Sequence, residues 1–474
     1  MEKEKKPFQI LFLPCILYAC LFVFCRYENS ASILCPLWMA GTLALVHYVM
    51  KKTDRPVRKD MIFIEAVMML LSVSDFLTYN FFIVTVNNIF ADFLLVIDLL
   101  AAFYPDRKWG ISQWILSFFK SIAGAISSFS DLFADIEDSL KNRNSKSRKT
   151  FAVIIGILSA VPLTVIILFL LASADMVFKK ILKSIFCFQW SSSDTYLIIL
   201  EFIFVFLASY CGLRFFLKNK NIEINQRINV NSDMTAVIIL IPVAIIYVLF
   251  SVIQFAFLFI RNLTLPAGMT YAEYAHQGFY QLLAVVIINL ILVLTITAVF
   301  GRSKIIKCLL TIINACSFVM IASAFFRIML YISVYHLTEL RFLVVWGLTV
   351  MTFLFVMITV YTLRAGFPLA KAFLIVISVS WIVLSFSRMD YWIADYNLSA
   401  EKKISSNYTD DQSKKSDHYY LIELSVDATP AIMRSGDTEL KKDYRDSYKV
   451  VNALERRDFR HINLSIERCR RAIR

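Results

Sequence analysis

Apolar runs of roughly 20 residues, separated by short polar turns, recur along most of this 474-residue chain. A helix of about 20 residues is long enough to cross the hydrocarbon core of a bilayer. Eleven such runs are read, at roughly 8–25, 31–50, 61–78, 80–104, 151–176, 195–217, 235–260, 278–300, 307–333, 342–363 and 368–387. No period-two alternation runs through them, which argues against a β-barrel. The boundary at 78–80 is the weakest, because 61–104 is almost continuously apolar; Asp75 and Asn80 mark the turn.

Two regions depart from this pattern. Over 107–140, Ile111, Ile115, Phe118, Ile122, Ile126, Phe129, Phe133, Ile136 and Leu140 recur at three- and four-residue steps, with Ser117, Lys120, Ser121, Ser127, Ser128, Asp131 and Asp135 on the other face. That spacing predicts an amphipathic helix lying flat on the inner membrane surface. After Arg388 the composition changes: 399–417 reads as a polar linker, 419–433 is apolar again, and 448–474 reads as a helix with Phe459, Ile462, Ile466, Cys469 and Ile473 in one stripe. The expected fold is therefore all-α, a polytopic transmembrane helix bundle of about 11 spans with a small, mostly helical extracytoplasmic C-terminal module. Four regions follow: N-terminal transmembrane helices (1–104), an amphipathic helix and basic loop (105–150), the main transmembrane bundle (151–388) and the C-terminal module (389–474). The module is too short for a large core of its own and is expected to lean on the membrane domain.

Composition supports the membrane class: 58% of residues are hydrophobic, 18% are charged, and the mean hydropathy is +0.65. The net charge of +13 lies almost wholly in short loops, since 389–474 holds 16 basic and 15 acidic residues. Such loop charge is what the positive-inside rule produces, and it points away from nucleic acid, which selects a basic face on one folded unit. Basic residues at 51–59, 142–149, Lys218, Lys220, Arg227, Arg302, Lys304 and Lys307 fall on one side by parity, with Lys179, Lys180 and Lys183 the exception. The expected placement is a multi-pass protein of the cell membrane, N-terminus cytoplasmic and C-terminus extracytoplasmic. The apolar segment after Met1–Lys6 is read as a retained first helix.

The nine cysteines sit mostly in apolar runs as free thiols, without zinc spacing, and the five histidines are scattered. Phosphate-loop, dinucleotide, zinc-protease and nucleophile-elbow motifs are missing. No catalytic, cofactor-binding or metal residue is assigned, and no cofactor is expected. Candidate chemistry rests on ionisable residues inside apolar runs, which cost about 3 kcal/mol each at mid-depth. Asp92 stands mid-span. Glu65, Asp98 and Arg214 fall near the inner face, whereas Asp75, Asp175, Glu201, Glu273, His276, Arg327, Glu339 and Arg341 fall toward the outer one.

Six stretches in order carry a resemblance: Val161–Leu163 with Leu170–Phe178; Thr270–Ala275; Ser323–Tyr331 with Leu337–Arg341; Trp392–Leu398; Tyr420–Pro430; and Asp458–Ser465. Together they resemble a bacterial membrane-protein family known as domain of unknown function 4173, with a related one numbered 4153. The resemblance implies a bacterial inner-membrane protein with an extracytoplasmic C-terminal module, and implies no activity. Residues in these stretches form a candidate polar outer-face cluster: Asp175, Tyr271, Glu273, Arg327, Tyr331, Arg341, Asp427, Arg460 and Asn463. The tail is expected to dock there, with Glu273, Arg327, Arg341, Asp427 and Arg460 among the contacts. The leading expectation is a non-enzymatic cell-envelope sensing or assembly protein, its partners the lipid bilayer and an envelope protein or small-molecule ligand at the outer face. Alternatives are a secondary transporter with an outward cavity lined by Asp175, Glu273 and Arg327 and Asp92 as coupling acid, and a membrane-embedded transferase.

Overall fold

The computed structural model describes residues 7–104, 109–141, 193–219, 233–259, 279–300, 303–364, 366–404, 418–455 and 458–474, together with 167, 171, 175 and 176. Most of the expected fifth span, 151–176, and the stretch holding Tyr271, Glu273 and His276 lie outside them.

The long helices are α1 (Pro7–Arg26), α2 (Leu34–Lys52), α3 (Lys59–Leu77), α4 (Phe81–Phe103), α7 (Ser193–Lys218), α8 (Asp233–Phe259), α9 (Phe279–Val299), α10 (Lys304–Tyr335), α11 (Glu339–Leu363) and α12 (Leu369–Phe386). Among the described residues, eight helices are long and apolar enough to cross a membrane. Helices α2 and α3 are not among those eight, although each has 19 residues, about 28 Å at 1.5 Å per residue. Their hydropathy is diluted by His47, Lys51, Lys52, Lys59, Asp60, Glu65 and Asp75. They nevertheless pack side by side, α1 on α2, α2 on α3 and α3 on α4.

Local chemistry starts several of these helices. Asn80 caps α4, its Oδ1 accepting from Ile83 N at 3.0 Å. Ser303 caps α10 and Thr338 caps α11, each accepting at 3.4 Å from the backbone N–H three residues on. A side-chain acceptor at this position satisfies one of the orphan N–H groups of the first turn.

The core falls into adjoining parts. One joins α1–α4, the helix Phe129–Lys141, α7, α12 and the C-terminal module. The others lie among α8–α12. Around them the outward-facing positions are apolar: Leu13, Phe204, Ile245, Ile246, Leu249 and Val383 are each more than 60% exposed to the surroundings. A surface of that kind is stable only against lipid.

The amphipathic segment is two helices, α5 (Ile111–Ser127) and α6 (Phe129–Lys141), broken at Ser128. Its polar face points into the protein. Ser117 and Ser121 are buried. Arg214 of α7 holds Asp135 in a two-pronged pair (Nε–Oδ2 2.6 Å, Nη2–Oδ1 2.9 Å), Tyr210 donates to Asp135 Oδ2 at 2.9 Å, and Lys218 pairs with Asp131 at 2.7 Å. Ile115, Phe119, Ile122, Ile126, Phe129 and Phe133 are left exposed. Small and charged groups of α7 suit the serines and aspartates, so most of the apolar stripe is turned outward, while Ile136 is buried in the core.

The C-terminal module is built of α13 (Met389–Ile404), a helical segment 418–422, a 3-10 turn (Val426–Ala428), α14 (Thr429–Ile432), α15 (Thr438–Asp446), α16 (Tyr448–Glu455), a second 3-10 turn (Phe459–His461) and α17 (Leu464–Ile473). The expected single helix over 448–474 is therefore a correction. Asn463, capping α17 through Ser465 N at 2.8 Å, restarts the helix there. Phe459 and Ile462 are exposed, whereas Ile466 and Cys469 are buried. The module's buried Leu421, Leu424, Ile432, Tyr444, Val450 and Ile466 belong to the same core as α1–α4.

Candidate functional site

The site is the seam where this module meets the ends of α1–α4, α11 and α12. Three turns of the bundle converge there: 27–33 between α1 and α2, 78–80 between α3 and α4, and 336–338 between α10 and α11. Each leaves unpaired backbone groups at helix ends, and a packed surface can cover them only by supplying partners.

Asn463 does so at two turns. Its Nδ2 faces the carbonyls of Thr78 (3.0 Å), Asp75 (3.1 Å) and Ala31 (3.3 Å), while its Oδ1 caps α17. Asp427 is fully buried and accepts from Thr78 Oγ1, Ser465 Oγ and Tyr79 N, the last at 3.1 Å. Arg460 Nη2 donates to Tyr27 O at 2.8 Å, Asn29 Nδ2 donates back to Arg460 O at 2.7 Å, and Ile33 N donates to Ile462 O at 2.9 Å.

A second node forms around Asn80. Its Nδ2 lies 3.0 Å from Glu339 Oε1 and 3.0 Å from each oxygen of Asp390, and Ser425 N donates to Asp390 Oδ2 at 3.1 Å. Tyr420 Oη accepts from Glu339 N at 2.7 Å, and Asn397 exchanges two hydrogen bonds with the Leu337 backbone (2.8 and 2.9 Å). Burial pushes the Asp390 carboxyl up to about 6; the Ser425 and Asn80 hydrogen bonds pull it down, and the neighbouring Glu339 charge pushes it up. Burial, then the nearby Asp390 charge, also raises Asp427, against the pull of Ser465, Thr78 and Tyr79.

Of the sequence-derived cluster, Asp427, Arg460 and Asn463 meet in the seam. Arg341 and Tyr331 meet each other one corner away: the guanidinium stacks over the ring at 4.3 Å and donates to the Tyr335 and His336 carbonyls that end α10. Arg327 stays on α10, half-buried. Asp175 is exposed, its N–H bonded to Leu171 O at 3.0 Å, and Tyr271 and Glu273 lie outside the described residues. Asp92 is exposed on α4 and hydrogen-bonds no described residue. Among the described residues, the bonds that join module to bundle run to hydroxyls, amides and backbone groups rather than between acids and arginines. Neutral partners close a packed seam without the desolvation cost of two charges. Thr78, Asn80, Asp390 and Ser425 were not in the cluster read from sequence; Asn80, at the head of a helix in an otherwise apolar run, was the one legible signal.

No curated protein and no solved structure matches this chain. A family model matches residues 66–435, nearly four fifths of the length. That stretch holds Asn80, Asp390 and Asp427 and ends before Arg460 and Asn463. The match is to the related family numbered 4153 and not to 4173. The chain is thus a multi-span membrane protein that belongs to the family described as Domain of unknown function (DUF4153).

Proposed function

We propose that this protein is a non-enzymatic component of the cell envelope, with its C-terminal module clamped on the extracytoplasmic face of the bundle as a fixed platform for sensing or assembly. The observation that carries the reading is the seam. Asp427, Asp390 and Asn463 spend their hydrogen-bonding capacity on holding the module to the turns of the bundle. Groups so occupied serve positioning. The outward surface of the module is then what remains for a partner.

Sidedness is supported by charge. The turn 53–58 lies at the opposite end of α2 and α3 from the module, and Arg55 Nη1 reaches the Phe103 carbonyl there at 2.9 Å. Lys51, Lys52, Arg58, Lys59 and Lys371 gather at that same end, where Lys371 pairs with Asp60 at 2.6 Å. Basic residues mark the cytoplasmic side.

The test compares three strains: the full chain, a chain ending at Ser387, and the full chain carrying Asn463→Ala. If the module is the working part, the truncated protein reaches the membrane at normal level yet reproduces the envelope phenotype of complete loss, and Asn463→Ala falls between. Full complementation by the truncated chain would rule the reading out.

A further inference from the structure

On one flank of the seam stand three arginines whose charge the module does not neutralise. Arg388 lies at the junction of α12 and α13, two residues past the end of the last span, with its backbone in the left-handed region (φ +56°). Its guanidinium stacks on Tyr391 at 5.1 Å, and Nη2 lies 3.4 Å from the Asp427 carbonyl. Its Nε is buried and has no hydrogen-bond partner. Arg434 donates to the same tyrosine, Nη1 to Oη at 3.2 Å, and is exposed. Arg468 sits on α17 one turn beyond Ser465, the residue bonded to Asp427. Residues three apart share a helix face, so Arg468 extends toward the group that holds Arg388.

The acid whose charge acts on Arg388 is Asp427, and its carboxylate is already occupied by Thr78, Tyr79 and Ser465. After burial, the charge of Arg468 is the largest influence lowering the Arg388 pKa, with Arg434 adding to it. Like charges held close to one another cost free energy unless an anion joins them. The depth is also informative. On α13, one turn apart, Trp392 and Tyr396 are exposed, and such amphipathic aromatics sit at the headgroup level of a bilayer.

We propose that Arg388 and Arg434, both at Tyr391, together with Arg468 of α17, form a binding site for a phosphate group at the membrane surface. A guanidinium presents paired N–H donors that match two phosphate oxygens, and three of them accept one phosphodiester or phosphomonoester. The phosphate belongs to an anionic lipid headgroup or to a free phosphate; the chemistry is shared. The site goes beyond the proposed platform role and does not depend on which side of the membrane the module occupies.

The experiment uses the purified full chain in detergent, titrated separately with phosphatidylglycerol, phosphatidylcholine and inorganic phosphate, with thermal midpoint and retained lipid by native mass spectrometry as readouts. Phosphatidylglycerol is expected to be retained and to raise the midpoint at concentrations where phosphatidylcholine does not. Arg434→Gln with Arg468→Gln is expected to weaken that affinity about tenfold or more. Both residues lie off the hydrogen-bonded seam and their removal relieves like-charge repulsion, so the ligand-free midpoint of the double variant should be no lower than the wild-type value, which separates lost binding from lost folding. A response to inorganic phosphate that the double variant loses supports the site with a soluble ligand; a response to phosphatidylglycerol alone supports it with a lipid. The proposal is overturned if neither phosphate source binds, if phosphatidylcholine binds equally, or if the double variant binds as wild type does. Should the double variant fail to fold, Arg434→Gln alone, at an exposed position, takes its place under the same criteria.

Discussion

Asp390 carries its carboxyl in a buried pocket made by Asn80, Glu339 and Ser425, and its pKa of about 6 lies above that of an unfolded aspartate. The native state therefore binds a proton more readily than the unfolded chain between about pH 4 and pH 6. Stability from this group rises as pH falls through that window and is lost again as pH rises past the folded value. Asp390→Asn keeps an acceptor for Asn80 and removes the titration. Its unfolding midpoint relative to wild type should be higher at pH 7.5 than at pH 5; a constant difference across that range would contradict the assignment. Asp427 is raised in the same sense, so Asp427→Ala behaves differently from a simple loss of charge. It strands the Thr78 hydroxyl, the Tyr79 N–H and the Ser465 hydroxyl, at about 1–3 kcal/mol for each buried unpaired group. That variant should be less stable than Asp427→Asn at every pH, as read by thermal unfolding.

Among the elements, α17 depends on one cap. Asn463 begins the helix and ties it to two turns of the bundle, so Asn463→Ala removes a cap worth about 1 kcal/mol together with the buried contacts to Asp75, Thr78 and Ala31. Cys469 is fully buried on the same helix. In a background where it is the sole cysteine, its labelling by a water-soluble maleimide should accelerate at least tenfold in the Asn463→Ala variant; unchanged labelling would show that α17 is held by something else. Helix α5 illustrates how an amphipathic pattern can be right about periodicity and still leave orientation open. Its Gly124 lies so close to Phe215 that an added Cβ would sit 2.1 Å from the ring. The helix is thereby pressed onto α7 by its small, polar side, and Phe119 and Ile126 face outward. Spin labels at 119 and 126 in bilayers should be reached by oxygen and shielded from a water-soluble nickel chelate, and the reverse preference would place this face in water.

Across the whole molecule, the module, the 27–33 and 78–80 turns and the corner at 336–338 form one end of the bundle, and the basic turn 53–58 forms the other. A C-terminal alkaline phosphatase fusion is accordingly expected to be active and a fluorescent-protein fusion dark; the opposite result would put the platform inside the cell. The shared core has a further consequence. The module's buried residues continue those of α1–α4, so residues 389–474 expressed alone should lack a cooperative thermal transition, measured by circular dichroism.

The membrane class and most helix limits were legible in the chain because a bilayer imposes a length and an apolar composition on anything that crosses it. The expected 307–333 and 368–387 runs, for example, fall within a few residues of α10 and α12. Asn80 could be noticed as a polar residue at a helix start, and Asn463 only as a polar residue inside the expected 448–474 helix. What they touch could not, because their partners are backbone carbonyls and carboxylates up to 432 residues away, which leave no mark in local pattern. Charge complementarity suggested acid–arginine contacts, yet three-dimensional packing gave each charged group a neutral partner, at helix ends where unpaired backbone groups set the demand. The outward turn of the α5 stripe was likewise decided by α7, whose Arg214, Tyr210 and Lys218 claim the polar face. Sequence thus determined which segments live in lipid. Only the tertiary structure decided which ends meet and which groups satisfy one another there, since burial and partner geometry exist only once the helices are assembled.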